Sequence, residues 1–389
     1  VIITLIAFSF SGMSQKKWTL KEAVDHALEH NITIKQNELN VEFSKEDVVQ
    51  AKGNFLPSLS ASNSQNITLG LSSGANNVNS SADRYSTSFG LNVGGNVFNG
   101  FRNLNSYKQA QLGINSSQLD LAKIKDDISL NVVNAYLNIL FAKENLSVAK
   151  VQYEISKKQI ERAKNQVEAG AKARGELLNV QSTAATDAQN VVAQENTLDL
   201  AILSLAQLLQ VSADGFDIAN INVGSPSIAT LYDDSNVVYK KAVTSRPEIL
   251  KAKIGVKNSD LGIEIAKGAF LPTLSYSLSA GTSYFTTFGK PDVITVFDDL
   301  GNGTLESFGF TKQLDENLKY GLGLSLSIPI FNGFKTKSNV SKSVINKKKS
   351  EYNLESQKLQ LQQTIQKVFL DAKSAAKTYE ASKTSLEAQ

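Results

Sequence analysis

The sequence contains no cysteine. That excludes disulfide frameworks, zinc–thiolate and Fe–S sites, Cys nucleophiles and an N-terminal lipidated Cys. Six prolines occur, at 57, 226, 247, 272, 291 and 329, so the stretch 58–225 holds none. An excess of one charge is missing too. A formal net charge of +3 over 389 residues, with no long basic arm, is too mild to imply nucleic-acid binding. No window of about 18 apolar residues exists to make a membrane-spanning helix. There is no Walker loop, no G-x-G-x-x-G after a strand and no catalytic triad. Without an ATP site, energy for any transport has to come from a partner.

What is present is repetition. The chain reads AKGNFLPSLSAS from residue 51 and AKGAFLPTLSYS from residue 266, and a second echo follows each copy, VFNGFR at 97 and IFNGFK at 330. Repeats at this range mean one architectural unit used twice. A residue before proline is pushed out of the α region, so Leu56-Pro57 and Leu271-Pro272 stop a helix and start a strand. FNGF does the reverse, with Gly100 and Gly333 allowing the turn from strand back into helix.

After each LP the pattern alternates with period two. In 318–330, Leu318, Tyr320, Leu322, Leu324, Leu326, Ile328 and Ile330 face one way, against Lys319, Gly321, Gly323, Ser325 and Ser327. Residues 86–97 and 273–284 alternate likewise, and 58–69 more weakly. Such strands could coat an ordinary sandwich core. Two features favour a membrane barrel instead. The strands are about 12 residues long, enough to cross a bilayer at a tilt. Their second face is small and hydroxylic rather than charged, which suits a water-filled lumen. Polar loops are expected near 71–84 and 286–317.

Four strands in two hairpins, about 58–98 and 273–331, cannot close a membrane barrel, and an open edge in lipid is not viable. Other copies of the chain must supply the rest. Three copies give twelve strands and a closed ring, and two or four would also satisfy the count.

Between the hairpins the period changes. From Ile128 a heptad runs through Val132, Ala135, Ile139, Ala142, Leu146, Ala149, Tyr153, Ser156, Ile160, Ala163 and Val167 to Gly170. Its alanines imply close helix–helix approach. A helix over 102–169 is expected, with a descending partner over 177–210. The stripe returns 233 positions later, from Leu361 through Ile365, Val368, Ala372, Ala375, Tyr379 and Ser382 to Leu386. A soluble coiled coil would explain the heptad but leave the lipid-type strands unused.

Val1–Phe10 reads VIITLIAFSF, then SGMSQ. This matches the apolar core of a secretory signal over 1–14, read as beginning mid-signal; a buried strand of a cytosolic domain is the alternative. His26-Ala27-Leu28-Glu29-His30 spells H-x-x-E-H, a zinc-peptidase signature. It would need a third protein ligand, and these are the only two histidines. On a helix from Thr19 these three polar side chains are expected to be solvated. Lys347-Lys348-Lys349 is read as a solvated helix face, with contact to anionic groups as the alternative.

The helical opening WTLKEAVDHALEHN, two FLP junctions, two FNG strand exits and the Arg246-Pro247-Glu248 turn, taken in order, resemble the TolC-like outer membrane efflux proteins, or outer membrane factors. The likeness covers about 18–389. It implies a mixed α and β membrane protein with internal duplication. In a homotrimer, a long α-helical coiled-coil barrel would continue a twelve-stranded antiparallel β-barrel, with four strands per chain. Residues 15–211 would form the first repeat, 212–236 an equatorial linker and 237–389 the second repeat, read as ending before its own tip near 403. Such a protein is no enzyme and needs no cofactor or metal. It is an exit duct through the outer membrane of a Gram-negative cell, extending into the periplasm and docked to an inner-membrane pump through a periplasmic adaptor. Its partners are outer membrane lipid and those proteins, with no nucleic acid. Adaptor contact in the family falls at a hairpin tip like V-G-L-x-x-x-T-D-V. The matching positions here include Gly170, Ala171, Arg174, Gly175, Glu176 and Leu177. Gly170, Glu176 and Leu177 keep the chemistry, whereas Ala171 and Gly175 depart from it. A structural or adhesive surface protein is the alternative reading.

Overall fold

The computed structural model describes residues 17–73, 79–81, 83–221, 234–297 and 299–388. The signal-like segment 1–14 and residues 222–233 of the expected linker lie outside them. In chain order the elements are β1 (Lys17–Trp18), α1 (Leu20–His30), α2 (Ile32–Gly53), β2 (Ser58–Thr68), β3 (Leu71–Ser73), β4 (Asn79–Ser81) and β5 (Arg84–Phe98). They continue with α3 (Arg102–Glu168), α4 (Arg174–Leu209), β6 (Asp217–Ile218), α5 (Ser235–Ser245), α6 (Pro247–Gly268) and β7 (Thr273–Thr287). The last are β8 (Val293–Phe297), β9 (Gly303–Ser307), α7 (Phe310–Glu316), β10 (Lys319–Ser327) and α8 (Lys335–Ala388). No described helix is long and apolar enough to cross a membrane. The described residues fall into two compact units.

One unit is drawn from Ser44–Asn115 and Ala252–Glu355. Its centre is an antiparallel four-stranded sheet in the order β10-β7-β5-β2. The helix segments keep the same order. Phe55, just past α2, meets the Tyr107 ring of α3 edge-on at 6.5 Å. Gln109 of α3 donates to the Asn258 carbonyl of α6 at 2.9 Å, and Ser259 of α6 bonds Ser350 of α8 at 2.8 Å. Lys347 is not merely solvated, because Asp260 of α6 holds it at 2.8 Å.

The repeated phrases fold alike. Leu56 N–H bonds the Gly53 carbonyl, and Leu271 N–H bonds the Gly268 carbonyl, so both helices close on the same turn before proline. At the strand exits Gly100 and Phe101 have φ +69° and +61°, and Gly333 and Phe334 have +60° and +62°. A bulky residue in this left-handed region is unusual. The same ring contact accompanies it in both copies: Phe98 on Phe101 at 5.1 Å, and Phe331 on Phe334 at 5.6 Å.

The segment 286–317 departs from the expected polar loop. It contains the β8–β9 hairpin, whose Phe297 and Leu305 are exposed, and the short helix α7. Buried Gln313 of α7 accepts from the Phe285 N–H and donates to the Phe285 and Phe308 carbonyls. It thus satisfies the part of β7 that extends past β10. A glutamine in a polar-looking stretch gave no sequence cue to this.

The other unit is drawn from Val1–Phe43, Ser116–Lys251 and Ser356–Gln389. Its core joins α1 (Ala23, Ala27), α3 (Val132, Tyr136, Ile139, Ala142), α4 (Ala201, Leu205, Leu209) and Ile218 of β6. Thr19 caps α1 in a capping box with Glu22. Along α3 the buried stripe is Val132, Ile139, Ala142, Leu146, Ala149, Ser156 and Ala163, as the heptad implies. Tyr136 also belongs to it and was not legible, because its neighbour Ala135 fits the heptad. Burying its phenol requires partners for the hydroxyl. The hydroxyl donates to the Ala219 carbonyl at 2.6 Å, with the Trp18 carbonyl also in range at 3.0 Å. The matching stripe on α8 is not buried: Val368, Tyr379 and Leu386 are exposed. The repeat of sequence is therefore not matched by a repeat of packing within one chain.

Candidate functional site: a two-faced sheet and a helical tip

Strand register sorts the sheet into two chemically different faces. On one, Leu59, Val93, Leu278 and Leu322 form a row across all four strands, and Ala61, Leu91, Ala280 and Tyr320 form the next. On the other, the rows are Ser58, Gly94, Ser277, Gly323 and Ser60, Asn92, Ser279, Gly321. The apolar face has no covering layer among the described residues. Leu59 is 72% exposed, Leu322 77% and Leu324 72%. A continuous exposed patch of this kind needs lipid or protein against it. Strands of 11, 15, 15 and 9 residues are long enough to cross a hydrocarbon layer. At the helix end stand Phe55, Phe101, Phe270, Phe331 and Phe334, all more than half exposed. Aromatic girdles occupy this place in outer-membrane barrels.

The junction glycines differ in their surroundings. Pro57 and Pro272 each begin a strand segment right after a helix-closing turn. A Cβ on Gly100 would strike the Gly268 carbonyl, and one on Gly268 would strike the Gly100 carbonyl. Gly53 and Gly333, their counterparts in the repeats, have nothing within 4 Å.

The α3–α4 tip is a compact reversal. Gly170 takes φ +71°, its N–H bonds the Val167 carbonyl, and the Ala171 N–H bonds the Gln166 carbonyl at 2.8 Å. This is a Schellman closure, and glycine suits its left-handed residue. Ala173 precedes α4, Arg174 is the first helical residue, and Glu176 lies in the first turn, favourably placed for the helix dipole. Lys172 pairs with Glu176 at 2.7 Å. Ala171, Arg174, Gly175 and Glu176 are exposed and Leu177 is half-buried. The tip thus presents a mixed-charge, small-residue surface. Below it, Ser156 of α3 donates to Asp187 of α4 at 2.5 Å, a polar lock within the coiled coil.

The H-x-x-E-H segment is expected from the sequence to be a solvated helix face. No group of three His, Cys, Asp or Glu suited to a metal occurs among the described residues. Nor is His26 solvated as expected. It packs edge-on to Trp18 at 5.1 Å, and its Nε2 donates to the Leu209 carbonyl at the end of α4 at 3.1 Å. His30 Nδ1 donates to the His26 carbonyl at 3.1 Å. Beside them, Asp217 is held by Lys143 at 2.5 Å and Lys17 at 3.3 Å. Burial works to raise the Asp217 pKa, but the hydrogen bonds from Lys143, Ile218 N–H and Lys17 outweigh it and leave the carboxyl below its ordinary range.

A sheet with a lipid-type face and a hydroxylic face, joined through aromatic turns to long coiled-coil helices, defines a component of a membrane channel. The family described as "Outer membrane efflux protein" matches residues 23–210 and 238–389, and the chain belongs to that family. No curated protein sequence matches. Among solved structures, CusC superposes with a TM-score of 0.70 at 16% identity, covering 95% of this chain and 77% of that one. VceC of Vibrio cholerae gives 0.67 at 15%, covering 88% and 75%. The CmeC channel of Campylobacter jejuni gives 0.67 at 18%, covering 88% and 68%. These likenesses establish the fold. The protein is an outer-membrane efflux duct of a Gram-negative cell that extends into the periplasm, and not an enzyme.

Proposed function

We propose that three copies close into a twelve-stranded antiparallel barrel, a passive water-filled duct for a tripartite efflux or type I secretion system. A periplasmic adaptor and an inner-membrane pump open it, with the adaptor contacting the tip at Gly170, Ala171, Arg174, Gly175, Glu176 and Leu177. The observation that carries this reading is the pair of open sheet edges, β2 and β10, beneath the two open junctions at Gly53 and Gly333. The inner junction, Gly100 against Gly268, joins a strand exit to a strand entry of the other repeat. Gly333 and Gly53 are the same exit and entry without a partner. Joining Gly333 of one copy to Gly53 of the next repeats a contact the chain already makes, and it pairs the edges that lipid would leave unsatisfied. The Ser, Gly and Asn face then lines the bore and offers substrates little to bind, so selection among cargo classes rests with the pump.

Ion conductance across planar bilayers, together with crosslinking from Arg174 to the adaptor, tests this reading. No conductance in any state would reject the duct. It would favour an adhesive surface protein, for which the exposed β8–β9 hairpin is the motivating feature.

A further inference from the structure

Across β2, β5, β7 and β10 only two residues are charged, Arg84 and Lys319, and both are cationic. Register puts both on the hydroxylic face. Lys319 shares a row with Gly281, Gly90 and Ser62. The row on one side holds Gly321, Ser279, Asn92 and Ser60, and the row on the other holds Ser283, Ser88 and Ser64. None of these residues is a carboxylate. With glycine in the two adjoining places, no side chain in the row screens the ammonium, and Lys319 is exposed. It makes no ion pair with a described residue. Of the acids between β7 and β10, Asp292 accepts from the Tyr284 hydroxyl at 2.8 Å, and Lys312 bridges Glu306 and Glu316 at 2.9 and 4.0 Å. Arg84 lies nearer the loops, in the row of Thr68 and Thr287, with its guanidinium 5.1 Å from the Phe285 ring centre. Asp83 beside it accepts from the Gly70 N–H at 2.9 Å.

Fixed charge of one sign on a low-dielectric wall focuses potential and enriches counter-charged solutes. We infer that Lys319, backed by Arg84 nearer the loops, forms a cationic collar in the bore that admits anionic solutes ahead of cationic ones of equal size. This rests on the duct reading, in which three copies contribute three of each side chain.

The absence of native cysteine makes the test clean. Ser279→Cys places a thiol one row from Lys319, and Leu322→Cys places one on the apolar face. Each variant, in the outer membrane of intact cells, is treated from outside with an anionic and a cationic methanethiosulfonate, and rates are scaled to a free thiol. In the Ser279→Cys protein the anionic-to-cationic ratio should fall about tenfold at low ionic strength when Lys319→Glu is added. Lys319→Gln should give an intermediate fall, and salt should shrink both effects. An unchanged ratio with either charge substitution, while the thiol at position 279 reacts, overturns the collar and leaves the duct standing. A thiol at position 279 that resists both reagents while the one at position 322 reacts overturns the duct reading itself.

Discussion

Gly100 and Gly268 meet backbone to backbone, each barring a side chain from the other. The contact joins the strand exit of the first repeat to the strand entry of the second, and it holds β5 beside β7. It explains why the odd phrases AKG-x-FLP and FNGF both carry glycine, although only one of the four glycines needs both a left-handed φ and the close approach.

Gly100→Ala should therefore destabilise the chain by about 1–3 kcal/mol or more, through the clash and the left-handed backbone together. Gly53→Leu should cost the single chain under about 0.5 kcal/mol, because a Cβ there meets open space. It should nevertheless abolish assembly. Sedimentation in detergent separates the two outcomes, and an assembled Gly53→Leu protein would count against the intersubunit junction.

Tyr136→Phe removes the donor from the carbonyl of half-buried Ala219. Trp18 O keeps the Ala219 N–H at 2.9 Å, so the loss centres on the Ala219 carbonyl. A cost of about 1–3 kcal/mol is expected. Hydrogen exchange should show lost protection at the β1–β6 pairing while the sheet unit stays unchanged.

Asp217 makes the same region acid-sensitive. Its folded pKa is depressed, so its bonds to Lys143 and Lys17 contribute fully above the ordinary aspartate value of about 3.9. That contribution is lost as pH falls through the lower folded pKa. Protection of β1–β6 should decline in that acid window, and Asp217→Asn should flatten the decline. Equal acid profiles for the two proteins would contradict this role.

His26 and His30 should bind no stoichiometric zinc in equilibrium dialysis, since no third ligand-type residue joins them among the described residues. His26→Ala should loosen α1 from the end of α4 and leave the tip unaffected.

Much of the fold was readable from periodicity. The apolar alternation of β10 and the alanine-rich stripe of α3 are each set by one repeating contact surface, and such surfaces leave a mark in sequence. Gln313, Tyr136 and His26 left none. Each is a polar side chain held by hydrogen bonds to backbone distant in the sequence or in another element, and no local pattern encodes that. The open stripe on α8 shows the converse limit, because a sequence repeat records a shared ancestry of surfaces but not which surfaces meet within one copy. At the tip, the Gly170 reversal follows from local chemistry, whereas what binds Arg174 and Glu176 depends on a second molecule.

Assembly in threes is the central claim, and cysteine pairing tests it most directly. Carrying the β5–β7 register over to the open edges sets Ser327 of one copy opposite Ser62 of the next. Within one chain those residues lie on opposite edges of the sheet, separated by about 14 Å across it at the usual strand spacing and by the further run of β10 from Lys319, which shares the Ser62 row, to Ser327, beyond the reach of a disulfide. Oxidation of the Ser62→Cys, Ser327→Cys protein in the outer membrane should give a covalent ladder that ends at the trimer. No crosslink, or a ladder ending at two or four copies, would contradict the account.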